Sequence, residues 1–352
     1  MTLAVTVVAP GDLGATEVER WRSFQARSAL TQSPFLSPTF ARIVGRHRRG
    51  ARVAVLEVDG RLEGFWAFEG VGGIARPIGW PANDLQGVVH SGVELDGRAI
   101  VRRAGLRGWR FDHALADDGV LVAHRYAHTA VECPVIETGD FDDYLERRPR
   151  SVRREFGRTR RGLERAVGPL AFHWAGGDAA AFETLVRWKG DRYAATRRLF
   201  EDAETSRFIA EAAASDEPDC RGAISTLWAG AELVAVDLKL EGPVGSVGWF
   251  SGFDPRFSRF SPGVMILLEG VRWASRRGRR AWVDLGYGQH NYKFALATTS
   301  YPVAGGAVWA RRSEAVARAA FRGVRSAASR VGTASSAGGR RTRRREVHDR
   351  DT

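Results

Sequence analysis

Hydrophobic and polar positions in the first 140 residues follow the period of a strand in some segments and of a helix in others, which predicts a small mixed α/β unit. The dipeptide Asp59-Gly60 separates two strand patterns and is a strong signal for a hairpin turn. The polar segment 81–96 predicts a loop that forms one wall of a cleft. The predicted elements are strand 3–8, helix 16–30, helix 38–47, strands 52–58, 61–68 and 74–80, helix 97–106, and strands 109–114 and 130–136.

A second α/β unit is predicted from residue 170 onward, after a basic helical segment. That segment has nine arginines between Arg147 and Arg165 and only a thin apolar stripe, which favours a solvated connecting helix or a patch that receives an acidic substrate or a nucleotide phosphate. The elements predicted after it are strand 170–174, helices 179–188 and 202–214, strands 223–229, 231–240 and 246–251, a helix from 262, strand 281–285, a short helix near Tyr292 and strand 302–310.

The stretch 260–294 is the centre of the second unit. Ser261 is suited to cap the helix that follows it, and Pro262 is tolerated in a first turn, where a missing N–H costs little. An open helix start offers free N–H groups and partial positive charge to an anion, and Gly263 lets a ligand approach the backbone. Strand 281–285 then leads into a polar loop at 286–293. Together these parts predict a cofactor site.

Length and charge set the outer limits of the prediction. A chain of 352 residues is long enough for two domains of ordinary size. The net charge of +12 is uneven, because residues 311–352 hold twelve arginines and four acidic residues and so carry 12 − 4 = +8. The remaining +4 leaves the body nearly balanced, so DNA is not expected as a partner, and the basic tail, predicted to be disordered, suggests an anionic membrane surface or tRNA.

Cysteine and histidine usage argues against a disulfide-stabilised protein and against a metal-binding protein. Cys133 and Cys220 are far apart, which disfavours a disulfide framework and favours a cytoplasmic protein. His124 and His128 have no third ligand beside them, so no metal is expected. No apolar run approaches the ~18–20 residues of a membrane span, so we expect a soluble protein, at most peripheral to the inner membrane face.

The order of elements in the second unit, β-α-α-β-β-β-α-β-α-β, is similar to the GNAT (Gcn5-related N-acetyltransferase) fold. More closely, the chain resembles the acetyltransferase-like family of cellulose and exopolysaccharide synthesis, the BioF2-like, CelD-type group, which is related to Fem-type transferases. The segments that carry this resemblance are 34–38, 55–68, 153–165, 261–263, 284–286 and 292–293. The loop Tyr287–His290 departs from the acidic pattern of that family, which shifts the expected chemistry to neighbouring side chains.

The resemblance implies an α/β (α+β) chain of tandem GNAT-like domains with mixed sheets flanked by helices. It divides the chain into a partial GNAT-like domain at 1–139, a basic linker helix at 140–168, a GNAT acyltransferase domain at 169–310 and a basic helix and tail at 311–352. It also implies that acetyl-CoA or another acyl-CoA binds between strand 246–251 and the following helix. The residues implied for that cofactor site are Val247, Trp249, Phe250, Ser261, Pro262, Gly263, Val264, Met265 and Lys293.

Acyl transfer from a thioester needs a base, an oxyanion donor and an acid for the leaving thiolate. Asp284 ends a strand beside the implied cofactor, which suits a base or a substrate anchor, and Asp237 lies inside an apolar strand, so it is either paired with Lys239 or functional. His290 has a pKa suited to proton transfer. Tyr292 is a candidate acid for the thiolate. Lys293 can bind either the cofactor phosphates or an acidic substrate.

Three functions fit these observations. The first is an acyl-CoA-dependent N- or O-acyltransferase that acts on a sugar, an amine or a cell-envelope or exopolysaccharide precursor. The second is a Fem-like transferase that uses aminoacyl-tRNA, held by the basic tail and the helix Arg147–Arg165. The third is a non-catalytic accessory protein of polysaccharide synthesis.

Overall fold

The fold is taken from a computed structural model, which describes residues 2–70, 73–116, 120, 126–175, 177–276, 281–286, 291–311 and 313. Within these residues the strands form one continuous sheet of fourteen. The strands are β1 Leu3–Val8, β2 Ala51–Val58, β3 Arg61–Glu69, β4 Ile74–Pro77, β5 Val89–His90, β6 Gly108–Leu115, β7 Ala127–Thr138, β8 Leu170–His173, β9 Asp216–Glu217, β10 Cys220–Ala229, β11 Glu232–Glu241, β12 Ser246–Phe253, β13 Ala281–Asp284 and β14 Thr299–Trp309.

Helices cover both faces of this sheet. They are α1 Ala15–Gln25, α2 Pro38–His47, α3 Gly97–Arg103, α4 Phe141–Glu146, α5 Arg150–Ala166, α6 Ala179–Arg192, α7 Ala194–Glu201, α8 Ala203–Ala213, α9 Pro262–Arg276 and α10 Asn291–Leu296. Short 3-10 helices at Pro10–Asp12, Pro34–Leu36 and Pro255–Phe260 connect some of them. The expected α/β class with mixed pairing is therefore confirmed, although one sheet runs through both halves of the chain.

The last strand of each half pairs with the sheet of the other half. The order along the sheet is β1-β2-β3-β4-β6-β14-β7-β13-β12-β11-β10-β8. Strand β14, from the end of the chain, therefore lies between β6 and β7, and β7, from the first half, pairs with β13 of the second half. We call this arrangement the strand exchange. It places side chains of both halves around one point on the sheet.

Local sequence explains most element boundaries. Asp59 and Gly60 both have positive φ, 48° and 76°, as the predicted hairpin turn between β2 and β3 requires. Helix α1 ends at Gln25 rather than at the predicted residue 30, because the Gln25 side chain donates to the Thr31 carbonyl and the Thr31 hydroxyl donates back to the Gln25 carbonyl. Helix α7, which has no buried residue, was not predicted.

The arginine-rich helix α5 is not a free linker. Phe156 and Leu163 on one face belong to a buried cluster beneath α9, which also includes Met265 and Val283. The arginines on its opposite face are exposed: Arg150, Arg153, Arg154, Arg158, Arg161 and Arg165. The helix is therefore a packed part of the second half with one cationic side.

A buried ionic network joins the two halves. Arg48 at the end of α2 is 7% exposed and binds Glu69 of β3 at 2.9 Å and the Trp80 carbonyl at 2.6 Å. Its other terminal nitrogen donates to Thr205 on α8, in the second half of the chain. Because charges so deeply buried need every partner, this network fixes the position of α8 against the first half.

No helix among the described residues is long and apolar enough to cross a membrane. The tail at 314–352, predicted to be disordered, lies outside the described residues.

We expect Arg48→Met to lower the free energy of unfolding by about 3–5 kcal/mol, because it leaves the buried Glu69 carboxylate with a missing partner. Arg46→Met is the matched control, since Arg46 forms an exposed ion pair with Glu211 that is worth about 0–1 kcal/mol. Urea unfolding followed by circular dichroism measures both. Equal losses for the two variants would contradict the structural role of Arg48.

Candidate active site

Strands β12 and β13 are parallel neighbours that separate after two residue pairs. Ser246 pairs with Val283 and Val247 pairs with Asp284. Beyond this point the edge of β12 that faces β13 has no strand partner among the described residues. The pairing between β11 and β12 also shifts at Trp249, which is the extra residue of a β-bulge in β12. A bulge turns side chains out of their usual alternation, and Trp249 and Phe250 both face the core shared by the two halves.

We call the gap between the separating strands β12 and β13 the wedge. Helix α9 begins at its open end. Ser261 has left-handed backbone angles, φ 53° and ψ 53°, and its carbonyl accepts from the amides of Val264 and Met265, so it occupies the N-cap position as predicted. Pro262 has no N–H to satisfy. A Cβ added at Gly263 would meet Phe253 at no less than 3.6 Å, so the turn leaves room beside its backbone. The positive end of the α9 dipole therefore points at an accessible space.

A cleft of about 210 Å³ lies between α6, the end of β12 and the first turn of α9. Its lining residues are Trp188, Lys189, Arg192, Tyr193, Ser251, Gly252, Phe253, Ser261, Gly263, Val264 and Tyr292. A larger cavity of about 990 Å³ opens at the other end of β12 and β13, beside Trp174, Trp273 and Trp282. We place the candidate site at the smaller cleft, because Lys189, Arg192 and the start of α9 line it and the charge of Asp84 acts on Lys189.

Asp284 is the buried anchor at the point where β12 and β13 separate. It is 1% exposed, accepts the hydroxyl proton of Tyr301 on β14 and accepts from the Gly286 amide at 2.8 Å. Burial raises the pKa of Asp284, and the Tyr301 and Gly286 hydrogen bonds oppose that rise. Because this carboxylate is enclosed and held on both oxygens, it is suited to positioning the loop at Gly286 rather than to receiving a substrate.

A second carboxylate, Asp84, reaches the same point from the first half. It lies in the polar loop predicted to form a cleft wall, and one of its oxygens is 3.5 Å from the position a Cβ would take on Gly286. Burial first, and then the charge of Asp284, raise the pKa of Asp84 to about 7. Lys293 on α10, which donates to the Gly286 carbonyl at 3.2 Å, opposes that rise. Burial and the neighbouring charge of Asp284 thus hold the pKa of Asp84 well above its usual range.

Two further cations lie beside these acids. Burial lowers the pKa of Lys189 on α6, the charges of Lys293 and Arg192 lower it further, and Asp84 opposes the change. The Lys189 ammonium lies 5.1 Å from the ring centre of Tyr193, and the Arg192 guanidinium lies 4.7 Å from that of Phe253. Tyr292 faces this group from α10, and burial raises its pKa.

The positions of the lysines mark this site in the sequence, although hydrophobic periodicity does not reveal it. The chain has 53 basic residues, and its three lysines are Lys189, Lys239 and Lys293. Burial lowers the pKa of each of them. Arginine supplies every other cation of the chain. Lysine is compact and can lose its proton when buried, whereas arginine cannot, so the three positions mark environments that a guanidinium does not suit.

The structure brings some predicted residues together and separates others. Asp284 and Lys293 meet at Gly286, and Ser261, Gly263, Val264 and Tyr292 line the cleft. Other members of the predicted set are side chains of the core. These are Pro262, Met265, Val247, Trp249 and Phe250. Trp249 donates its indole N–H to the Ala82 carbonyl at 2.7 Å, which ties β12 to the polar loop of the first half. The five core residues on β12 and α9 therefore contribute shape rather than contacts from exposed side chains.

Asp237 and His290 stand apart from this group. The Asp237 carboxylate is ion-paired with Lys239, the pairing left open by the sequence. Asp237 shares a face of the sheet with Ala235, beneath α9, whereas Asp284 lies on the opposite face, the face of Val247. His290 and the loop Tyr287–His290 lie outside the described residues. Tyr301 and Asp84 were not predicted, because one belongs to an exchanged strand and the other to a loop of the other half.

Residues 150–294 match the family model described as Acetyltransferase (GNAT) domain. No curated protein sequence matches the chain. Within the described residues, no group of three or more His, Cys, Asp or Glu side chains is placed to hold a metal ion.

Solved structures with the same fold have low sequence identity. A tandem GNAT protein from the clavulanic acid biosynthesis pathway is 13% identical, with a TM-score of 0.50 over 88% of this chain and 99% of its own. L-PGS from Bacillus licheniformis is 12% identical, with a TM-score of 0.52 over 86% of this chain and 94% of its own. FemX is 9% identical, with a TM-score of 0.54 over 86% of this chain and 97% of its own. The expected tandem GNAT fold is confirmed by these likenesses.

We expect Asp84→Asn to stabilise the fold more at pH 8 than at pH 5. The pKa of Asp84 is about 7 in the folded chain and near 3.8 when unfolded, so the native state binds more protons between these values and loses stability as pH rises. A pKa difference of one corresponds to about 1.4 kcal/mol, so the variant should gain up to about 3 kcal/mol over wild type across that range. Urea unfolding at both pH values measures the gain.

The control is Asp142→Asn, because Asp142 is exposed on α4 and its effect should not change between the two pH values. A gain for Asp84→Asn that is the same at both values would contradict the raised pKa.

Proposed function

We propose that this protein is an acyl-CoA-dependent N- or O-acyltransferase that binds acetyl-CoA or a related thioester in the wedge between β12 and β13. The observation that carries the proposal is the separation of these strands after two pairs, with the start of α9 at their open end. The match of residues 150–294 to a GNAT domain supports the same conclusion.

The donor site would combine a strand edge with a helix start. From Gly248 onward, β12 offers backbone groups toward β13, and these can pair with the amides of a pantetheine arm. The first turn of α9 at Gly263 can receive the pyrophosphate, because helix starts stabilise anions. The thioester would then lie near Gly248, on the side of Asp84 and Tyr292.

The transfer step uses groups from both halves of the chain. An amine or hydroxyl of the acceptor attacks the thioester carbonyl, a C–N or C–O bond forms and the C–S bond breaks. Asp84, in its ionised form, receives the proton that the nucleophile loses. Tyr292 gives a proton to the departing thiolate and regains one from solvent. Asp284, Tyr301 and Lys293 hold the loop at Gly286 and so position these partners.

The acceptor would enter from the side of the first half, where the loop that carries Asp84 forms a wall. Acceptors that fit this proposal are a sugar, an amine or a cell-envelope or exopolysaccharide precursor. We place the reaction in the cytoplasm, which the two buried thiols, Cys133 and Cys220, favour.

We expect wild-type protein to bind acetyl-CoA in calorimetry, and Gly248→Val to weaken that binding at least about tenfold, or about 1.4 kcal/mol. A Cβ on Gly248 would touch the Asp284 carbonyl at 3.5 Å and nothing else within 4 Å, so a valine can be built there and would fill the wedge. The thermal midpoint of the variant without ligand reports whether it folds.

The matched control is Gly11→Val, in the first half, where an added Cβ meets nothing within 4 Å. It should bind acetyl-CoA like wild type. If wild-type protein does not bind acetyl-CoA, the proposal is wrong, and if neither donor class binds, an accessory role in polysaccharide synthesis becomes the better explanation.

One observation favours a second candidate, a Fem-like transferase that uses aminoacyl-tRNA. The exposed arginine face of α5 belongs to a helix that packs on the 3-10 helix leading into α9, since a Cβ on Gly162 would lie 3.1 Å from the Phe260 ring. A polyanion on this face would therefore approach the mouth of the donor site. The likeness in fold to FemX is consistent with this arrangement.

If tRNA is the donor carrier, replacing Arg150, Arg154 and Arg161 by glutamine should weaken tRNA binding and reduce the slope of log affinity against log salt by about 2–3. Filter binding of bulk tRNA between about 50 and 200 mM salt measures that slope. The control replaces three exposed arginines of the first half, Arg49, Arg102 and Arg103, by glutamine. Equal effects of the two triple variants would show non-specific charge attraction and would exclude this candidate.

A further inference from the structure

Charges of opposite sign are separated across the candidate site. Asp84 and Asp284 lie at the point where β12 and β13 separate, and Lys189 and Arg192 lie on the α6 wall of the cleft. Among the described residues, no carboxylate forms an ion pair with Lys189 or Arg192, although the chain forms many ion pairs elsewhere. We call the cleft wall at Lys189 and Arg192 the cationic end. The acidic end, at Asp84 beside Gly286, is not part of the cleft lining, but its charge acts on Lys189.

At the cationic end the charge of Asp84 and the rings of Tyr193 and Phe253 stabilise the cations in part, without an ion pair to a carboxylate among the described residues. Lys189 is half-buried, and the charges of Lys293 and Arg192 act against its own. Like charges at a partly buried position are retained where a ligand needs them. In a chain that otherwise uses arginine almost throughout, the lysine at 189 also suits a small cleft, because a compact ammonium takes less space than a guanidinium.

We infer that the acceptor is a small amine that carries its own anionic group, a carboxylate or a phosphate, with the ammonium held at Asp84 and the anion held by Lys189 and Arg192. This inference rests on the proposed acyltransferase function and names the acceptor class for the same site. An uncharged alcohol would gain nothing from the acidic end, and an amine without an anion would leave the cationic end unpaired.

The donor is the other possible source of an anion near Lys189, since the start of α9 lines the same cleft. Two observations favour the acceptor. Lys189 interacts electrostatically with Asp84, the proton acceptor, which places it beside the nucleophile. The donor pyrophosphate already has the N-terminus of α9 at Gly263. Binding of the two substrates to one variant separates these sources.

The step balances with the groups named. Asp84 takes one proton from the bound ammonium, which leaves a neutral amine. The amine nitrogen attacks the thioester carbonyl, the C–N bond forms, the C–S bond breaks, and the nitrogen loses its second proton to solvent. Tyr292 protonates the thiolate and regains a proton from solvent, and Asp84 returns its proton to solvent. The products are an amide that keeps the anionic group, free thiol and one proton released overall.

The test measures binding of two matched pairs of probes to the full chain, with and without saturating CoA, by calorimetry. The pairs are O-phosphoethanolamine against ethanolamine and L-alanine against L-alaninamide, so each pair differs in its anion. The proteins are wild type, Lys189→Met, Lys189→Arg and the control Arg187→Met, on the exposed side of the same helix.

In at least one pair we expect the anionic probe to bind about tenfold tighter than its neutral partner in wild type and Arg187→Met, with a smaller preference kept in Lys189→Arg, whose guanidinium keeps the charge but is larger. In Lys189→Met the difference should fall below about threefold, with CoA affinity unchanged. A loss of CoA affinity in Lys189→Met would assign the cation to the donor and overturn the inference. Equal binding within both pairs, or no binding of any probe to wild-type protein that binds CoA, would also overturn it. If CoA does not bind at all, that result counts against the proposed function. It can be told apart from a failure of the acceptor inference, because the probes are also measured without CoA.

Discussion

The strand exchange is the constraint on which the candidate site depends. Strand β14 carries Tyr301 to Asp284, and β7 places Cys133 opposite Tyr301 on the next strand. In the exchanged order β7 lies between β14 and β13, and the Tyr301 side chain reaches across β7 to Asp284. The pairing of backbone groups across β6, β14, β7 and β13 therefore determines which side chains surround the separating strands, and hydrophobic packing on both faces holds that pairing in place.

Polar groups at the site are costly to bury, and the surrounding structure supplies what keeps them there. Asp284 has two hydrogen-bond partners, and Lys293 is held by the Gly286 carbonyl. The Trp249 indole, turned aside by the bulge in β12, fixes the distance between the two halves by its bond to Ala82. A rigid frame of this kind lets Asp84 sit near another carboxylate, a position that shifts its proton equilibrium toward neutral pH.

Sequence patterns predicted the local parts of this arrangement well. The hairpin at Asp59 and the capped start of α9 at Ser261 depend on a few adjacent residues, so propensity alone identifies them. The meeting of Asp84 with Asp284 depends on which strands pair over a separation of 200 residues, counted as 284 − 84, and no local period encodes it. The same limit applies to the prediction for Asp237. The sequence shows a carboxylate in an apolar strand, but it does not show on which face of the sheet that carboxylate lies.

The position of β14 also affects how the chain can be synthesised. The edge of β6 that β14 covers stays open until residues 299–309 have left the ribosome, after every other described strand. During that interval the edge can pair with strands of other chains, which is the aggregation hazard of an open sheet edge. By the same reasoning, a chain without β14 would leave β6 and β7 without the strand that joins them, so the sheet of both halves depends on this strand.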